Sequence, residues 1–344
     1  MGLVKKTVNY RLLLGLPLKL ADMKKYLGTI LRVGITVLGI VWAVRTINFS
    51  ELWGLFQQAR VGWVLAGYSL VALSMPLRAW RWWELLKGVG ISKIKFRQLV
   101  QLYFVGSFFN AFLPSGFGGD VVRVVEVSQE IPADVATGTV FLDRFTGLLV
   151  LFVMGLIGLP LRPDGFPQGW AVAIFVTCVL GLIGGVLLLD GRLIRTIGRS
   201  RLGALLPNAI SPVGDGPLAK FLTAVQSCGM LAIWRALGIS VIFDGFVIAW
   251  WTFGGFAFGH SVGVLYNLVV VPVFAIALMI PSVGGLGPRE MLAPSLYAGA
   301  GLSAEASVAI SLIVYIMMRL SSLTGVFFYL YRIVVEGRKA AEGQ

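Results

Sequence analysis

Two stretches decide the fold: Leu113-Pro-Ser-Gly-Phe-Gly-Gly-Asp-Val-Val-Arg123 and Ile280-Pro-Ser-Val-Gly-Gly-Leu-Gly-Pro-Arg-Glu290. Each opens with an aliphatic residue, Pro and Ser, runs through glycines, and then reaches charge. Each interrupts an apolar run, and Pro114 and Pro281 stand 167 positions apart, one in each half of the chain. Backbone that is neither helix nor closed barrel is tolerated at membrane depth only where it is buried in protein or lines a wet cavity. Paired breaks in the two halves of a membrane chain are the sequence pattern of a transporter-type site.

Composition around these breaks fixes the class. Hydrophobic residues make up 57% and charged residues 13% of 344 positions, against about 25% charged in a soluble domain. Mean hydropathy is +0.86. Apolar stretches near the ~20 residues needed to cross a bilayer recur at roughly 28–46, 61–79, 135–160, 170–189, 229–252 and 303–331. The first of these is too long for a signal-peptide core and lacks a small-residue cleavage site, so it is expected to stay as an anchor. Cys178 and Cys228 sit in or beside apolar segments, as small hydrophobes do.

The formal charge of +13 is explained by topology rather than by nucleic acid. Lys and Arg concentrate in the N-terminal arm, in 78–97, in 192–220 and after Tyr331, whereas the alternate connections hold Arg45, Arg60 and Arg162. That is the positive-inside asymmetry, and it predicts a prokaryotic cytoplasmic-membrane protein with both termini in the cytoplasm. The Arg78-Ala-Trp-Arg-Trp-Trp-Glu84 cluster reads as an interfacial aromatic and basic belt.

The same charge rule constrains the breaks. Counting 97–130 as a full span would put the basic 192–220 segment outside. Treating 97–130 and 262–300 as re-entrant hairpins entering from opposite faces restores the bias. The expected architecture is therefore all-α, about six transmembrane helices plus two re-entrant hairpins in an inverted repeat. Residues 1–27 form a basic arm, interfacial or disordered. Residues 28–335 form the membrane domain, with halves at about 60–160 and 229–331, and 336–344 form a cytoplasmic tail. After each hairpin comes a long helix with an arginine and a Thr-Gly: Asp143-Arg-Phe-Thr-Gly147, then Arg319-Leu-Ser-Ser-Leu-Thr-Gly325.

Charges inside apolar helices cost roughly 2.5–3.5 kcal/mol each and mark pathways. Asp143 and Arg144 are adjacent, about 100° apart on a helix, so at least one must reach another element. The candidate headgroup-binding residues are Asn110, Asp120, Arg123, Asp143, Arg144, Arg289, Glu290 and Arg319. Arg123 and Glu290 both lie nine positions past their prolines. Arg123, Arg144, Glu290 and Arg319 are expected to converge on one polar cavity. At the breaks, Pro114, Gly118, Gly119, Pro281, Gly284 and Gly285 are expected to turn the chain, using the positive φ open to glycine and exposing N–H groups to an anion. Asp244 is a further buried charge. No catalytic, metal or cofactor set is expected: there is no Gly-Lys dipeptide for a P-loop, and His260 is the single histidine.

Taken together, Arg81-Trp-Trp-x-x-Leu-Leu, Asn110-x-x-Leu-Pro-x-x-x-Gly-Gly-Asp-x-x-Arg123, Leu142-Asp-Arg-x-x-Gly147 and Pro281-Ser-x-Gly-Gly-Leu-Gly-x-Arg-Glu290 resemble the lysylphosphatidylglycerol synthase transmembrane region, or flippase-like domain family. The resemblance covers roughly residues 25–335. It implies a stand-alone membrane module that moves an anionic phospholipid or lipid-linked intermediate between leaflets without its own ATPase. A lipid-synthesising enzyme partner is implied as well. Alternatives are a membrane-embedded transferase or subunit modifying a lipid headgroup, and a scaffold for a lipid-synthesising enzyme.

Overall fold

The computed structural model describes residues 18–112, 118–199, 214, 216–280, 282 and 285–342. Pro114, Pro281 and Gly284 lie outside the described residues, as does the arm before Leu18. The described chain is all-α, without strands.

Among the described residues, five helices are long and apolar enough to cross a membrane: α3 (Val61–Gly88), α6 (Ala133–Gly158), α7 (Gln168–Leu189), α10 (Met230–Ala257) and α13 (Ala304–Glu342, apolar to Tyr331). A sixth candidate is a bent pair: α1 (Leu18–Thr46), which begins ten residues earlier than the expected Gly28, turns by 93° into α2 (Phe49–Gln57), and Val33–Thr46 with α2 is apolar enough to count as one broken span. The bend falls at Asn48, whose side chain accepts from the Ser50 and Glu51 N–H groups and so starts a new helix. Short α8 (Gly191–Arg199) and α9 (Pro217–Gln226) belong to the connection from α7 to α10. The outer face of α7 presents Val172, Phe175, Leu180, Ile183 and Val186, an apolar surface that only a lipid environment tolerates at this extent.

Between these spans lie two hairpins, α4 (Phe96–Phe112) with α5 (Gly118–Val127), and α11 (Val264–Ala277) with α12 (Pro288–Tyr297). Their arms are too short to span: 17 residues reach about 25 Å at 1.5 Å per residue, against a ~30 Å hydrocarbon core. Cross-links show that each pair folds back on itself. The Gly119 N–H donates to Asn110 Oδ1 near the first tip, and Arg123 donates to Tyr103 further down. In the second hairpin Tyr297 donates to Asn267, and Tyr266 donates to the Leu296 carbonyl.

The hairpins enter from opposite faces. Helices α3 and α10 run antiparallel: Gly88 abuts Cys228 and Ala232 at one end, and the Arg60 N–H donates to the Ala257 carbonyl at the other, 2.7 Å away. The first hairpin follows the Gly88 end and the second follows the Ala257 end. The halves then embrace reciprocally, α4 against α13 and α11 against α6. This is the inverted repeat expected from the paired breaks.

The two glycine breaks work differently. Gly118 and Gly119 are helical and buried rather than in a positive-φ turn. A Cβ on Gly119 would stand 1.9 Å from the Gly106 carbonyl oxygen, so glycine is needed for close approach of α5 to α4. In the second break Gly285 and Gly287 do adopt positive φ, 83° and 105°. Gly287 also lies against α1, whose Gly39 would clash with it if given a Cβ.

The belt expectation for 78–84 is corrected. Arg81 is 2% and Trp82 0% exposed, whereas Trp80 is 43% exposed. Residues three and four apart share a helix face, so Arg78, Arg81, Trp82 and Leu85 turn inward while Trp80 faces out. The basic bias at this end of α3 is carried by Lys87, Lys93, Lys95 and Arg97.

Candidate functional site: a buried arginine–aspartate cluster

Asp143, fully buried at the middle of α6, organises the first half. One carboxylate oxygen accepts from Arg81 Nε of α3 at 2.8 Å. The other accepts from Arg123 Nη2 of α5 at 2.9 Å and from the Tyr103 hydroxyl of α4. Arg123 Nη2 also donates to Tyr103 Oη at 2.7 Å. Four separate elements are thus tied at one carboxylate. Such a knot satisfies the rule that buried charges are paired and hydrogen-bonded.

Aromatic faces complete the packing. The Arg123 guanidinium lies 4.0 Å from the Tyr103 ring centroid and 4.2 Å from that of Trp82, within cation–π range. Trp82 is itself fixed by its Nε1–H donating to Thr139 Oγ1 at 3.2 Å. Gly147, the glycine of the first Thr-Gly, leaves room for Arg81: a Cβ there would be 2.7 Å from Nη1.

A more open layer lies beside the knot. Asp120 pairs with Arg123 at 3.3 Å and with Arg144 at 2.5 Å. Arg144 is 35% exposed, unlike the buried members. The adjacent Asp143 and Arg144 therefore each reach another element, as their helical spacing requires. Arg78, one turn along α3 from Arg81, stacks over Tyr103 and Phe243 at 5.1 and 5.6 Å, and its Nε has no hydrogen-bond partner among the described residues. From α10, Ser240 accepts from Arg81 Nη1 at 3.0 Å.

The second half carries a smaller counterpart on α12. Arg289 pairs with Glu290 at 3.0 Å, both buried. Glu290 also accepts from Ser311 of α13 at 3.0 Å and caps its own helix by accepting from the Gly287 N–H at 2.9 Å. The repeat is legible here: hairpin residue Arg123 meets Asp143 of α6, and hairpin residue Glu290 meets Ser311 of α13. Tyr315 lies between two arginines, Arg289 at 5.5 Å and Arg319 at 4.6 Å from its ring.

Of the residues singled out from sequence, Asn110, Asp120, Arg123, Asp143 and Arg144 are brought together around the first hairpin. Arg289 and Arg319 flank Tyr315, and Glu290 pairs with Arg289. The family model of the lysylphosphatidylglycerol synthase TM region matches residues 29–320. The chain belongs to this family.

This family member is also similar to a UPF0104 membrane protein of Pyrococcus horikoshii, 29% identical over 140 residues. That stretch covers 38% of this chain and 40% of the relative, so the match spans about two fifths of that relative's length. No solved structure matches. Within the family member described here, sequence reasoning missed Tyr103, Ser240 and the inward role of Arg78 and Arg81. The available signal was Asp143, an intramembrane carboxylate that its neighbour Arg144, about 100° away on the helix, cannot fully satisfy.

Proposed function

We propose that this protein translocates an anionic phospholipid or lipid-linked intermediate between membrane leaflets, without an ATPase of its own. The observation that carries this reading is a charge imbalance at a membrane-embedded hairpin. Arg78, Arg81, Arg123 and Arg144 face Asp120, Asp143 and Asp244, leaving one cation in excess, and Arg78 has no ion pair among the described residues. A phosphate headgroup is drawn to that excess, because planar guanidinium groups bind it through charge-assisted, bidentate hydrogen bonds.

The inverted repeat supports the same reading. Two related halves with oppositely entering hairpins are the arrangement by which one site is opened to each side in turn. The family, named for a lipid synthase's membrane region, points to lipid as the cargo. Loop charge supports placement in the cell membrane with both termini in the cytoplasm.

Reconstitution tests the proposal. Purified protein in liposomes carrying fluorescent phosphatidylglycerol should expose the inner-leaflet probe to an external quencher faster than protein-free liposomes do. An identical quenching course in the two preparations would overturn it.

A further inference from the structure

Asp244 is a buried carboxylate that the ion-pair network leaves aside. It sits on α10 one turn beyond Ser240 and is 2% exposed, and its Oδ2 has no hydrogen-bond partner among the described residues. Arg81 reaches the same turn of α10: its Nη1 donates to Ser240 and its guanidinium lies 5.3 Å from the Phe243 ring, while its Nε is spent on Asp143. Arg81 therefore lies between one carboxylate that it binds and a second that it faces. A buried charge in this position is costly unless it is compensated.

We propose that Asp244 binds a proton that crosses together with the anionic headgroup, an inference that rests on the translocation reading above. When a phosphate is drawn to Arg78 and Arg81, it neutralises the cations that face Asp244. The carboxylate then takes up a proton and becomes a neutral acid, with its O–H free to donate to Ser240 or to a phosphate oxygen. One negative and one positive charge have been added, so the cluster's net charge is the same loaded as empty.

The surrounding groups suit a proton rather than a metal cation. Facing the cluster are Arg78 and Arg81 from α3, Tyr103 from α4, and Asp143 and Arg144 from α6. Helices α11, α12 and α13 meet α10 about two turns further along, at Trp251, Thr252 and Gly254. Among the described residues no group of three His, Cys, Asp or Glu could hold a metal ion, and the charged groups packed beside Asp244, at Phe243, are the Arg78 and Arg81 guanidiniums, which repel a metal cation.

Two measurements on the full-length protein test the inference. In nanodiscs, adding phosphatidylglycerol should raise the infrared carbonyl band of a protonated carboxylic acid. That band should be lost in Asp244→Asn and kept in Asp244→Glu, with both variants checked for a monodisperse gel-filtration profile. In liposomes with a trapped pH dye, inward movement of phosphatidylglycerol should acidify the lumen for the wild type and not for Asp244→Asn. A wild type that moves lipid without moving protons, or that follows a sodium gradient instead, overturns the proton site and leaves lipid translocation standing. Absence of lipid movement itself sinks both readings.

Discussion

Arg123 and Asp143 meet at 2.9 Å, joining the inner arm of a re-entrant hairpin to the middle of a spanning helix, and Arg81 holds the opposite edge of the same carboxylate. The contact ties hairpin position to the packing of α3 against α6. On the proposed translocation, a hairpin that moved would have to give up this pair, with a headgroup phosphate replacing Asp143. Breaking such a pair by removing one partner is expensive, because the other charge stays buried.

Asp143→Asn should therefore be the most damaging single polar change in the first half. It leaves Arg81 and Arg123 without their shared counter-charge, at an expected cost of about 3–5 kcal/mol. Thermal unfolding followed by gel filtration should show a large drop in midpoint. Arg123→Lys keeps the charge but loses the fork whose Nη1 reaches Asp120 while Nη2 reaches Tyr103 and Asp143, so it should reduce lipid movement while lowering stability less. Equal stability of Asp143→Asn and wild type would show that the carboxylate is not the anchor of the cluster.

Glu84 offers the contrast. It bridges Lys87 at 3.0 Å and Arg235 at 3.1 Å near the end of α3, but those cations are 37% and 57% exposed. Exposed pairs contribute about 0.2–1 kcal/mol. Glu84→Gln should accordingly shift the same unfolding midpoint only slightly. A loss as large as that of Asp143→Asn would contradict the assignment of the structural charge to the buried cluster.

The two breaks should fail for different reasons when alanine is introduced. At Gly119 a methyl group meets the Gly106 carbonyl at 1.9 Å and Asn110 Nδ2 at 2.8 Å, so α4 and α5 must separate. Gly285→Ala forces an L-residue to a φ of 83°, a cost of roughly 1–2 kcal/mol. Pairing each with a compensating change separates the two causes. Gly119→Ala should be eased by Asn110→Ala, which clears one of its clashes, whereas Gly285→Asn should be milder than Gly285→Ala because asparagine tolerates left-handed backbone. Unfolding midpoints that follow side-chain volume alone at position 285 would argue against strain there.

Topology can be read with single cysteines. Cys178 and Cys228 are buried, and burial pushes the Cys228 thiol up to about 12. Thiolate is the reactive form, so the native background should stay silent to maleimides at neutral pH. Lys220→Cys and Ser261→Cys, both exposed positions, should label from opposite faces, with Lys220→Cys reached only from the cytoplasm. Labelling of both from one side would break the antiparallel placement of the halves.

Much of the fold was legible without coordinates. Hydropathy announces the spans because a bilayer demands about 20 apolar residues per crossing. The paired Pro-Gly breaks announce the hairpins because apolar sequence does not interrupt itself this way without cause. Loop charge supplied their opposite orientation. What hydropathy could not distinguish was a belt from a core: the arginines and tryptophans of 78–84 fit both, and helix rotation assigned Arg81 and Trp82 to the interior. Similarly, the glycine runs looked alike, yet one permits close contact and the other a left-handed turn.

The sequence by itself determined the class of the protein, its duplicated plan and the need for partners to Asp143. Those follow from composition, spacing and the cost of charge in an apolar medium, all of which are local or additive along the chain. Only the tertiary structure decided which partners those are. Arg81 and Asp143 are 62 residues apart and Arg81 and Ser240 are 159 apart, and their meeting depends on how α3, α6 and α10 rotate and cross. Helix rotation is set by the packing of many side chains at once, and so the identity of a buried charge's neighbour is a property of the assembled bundle.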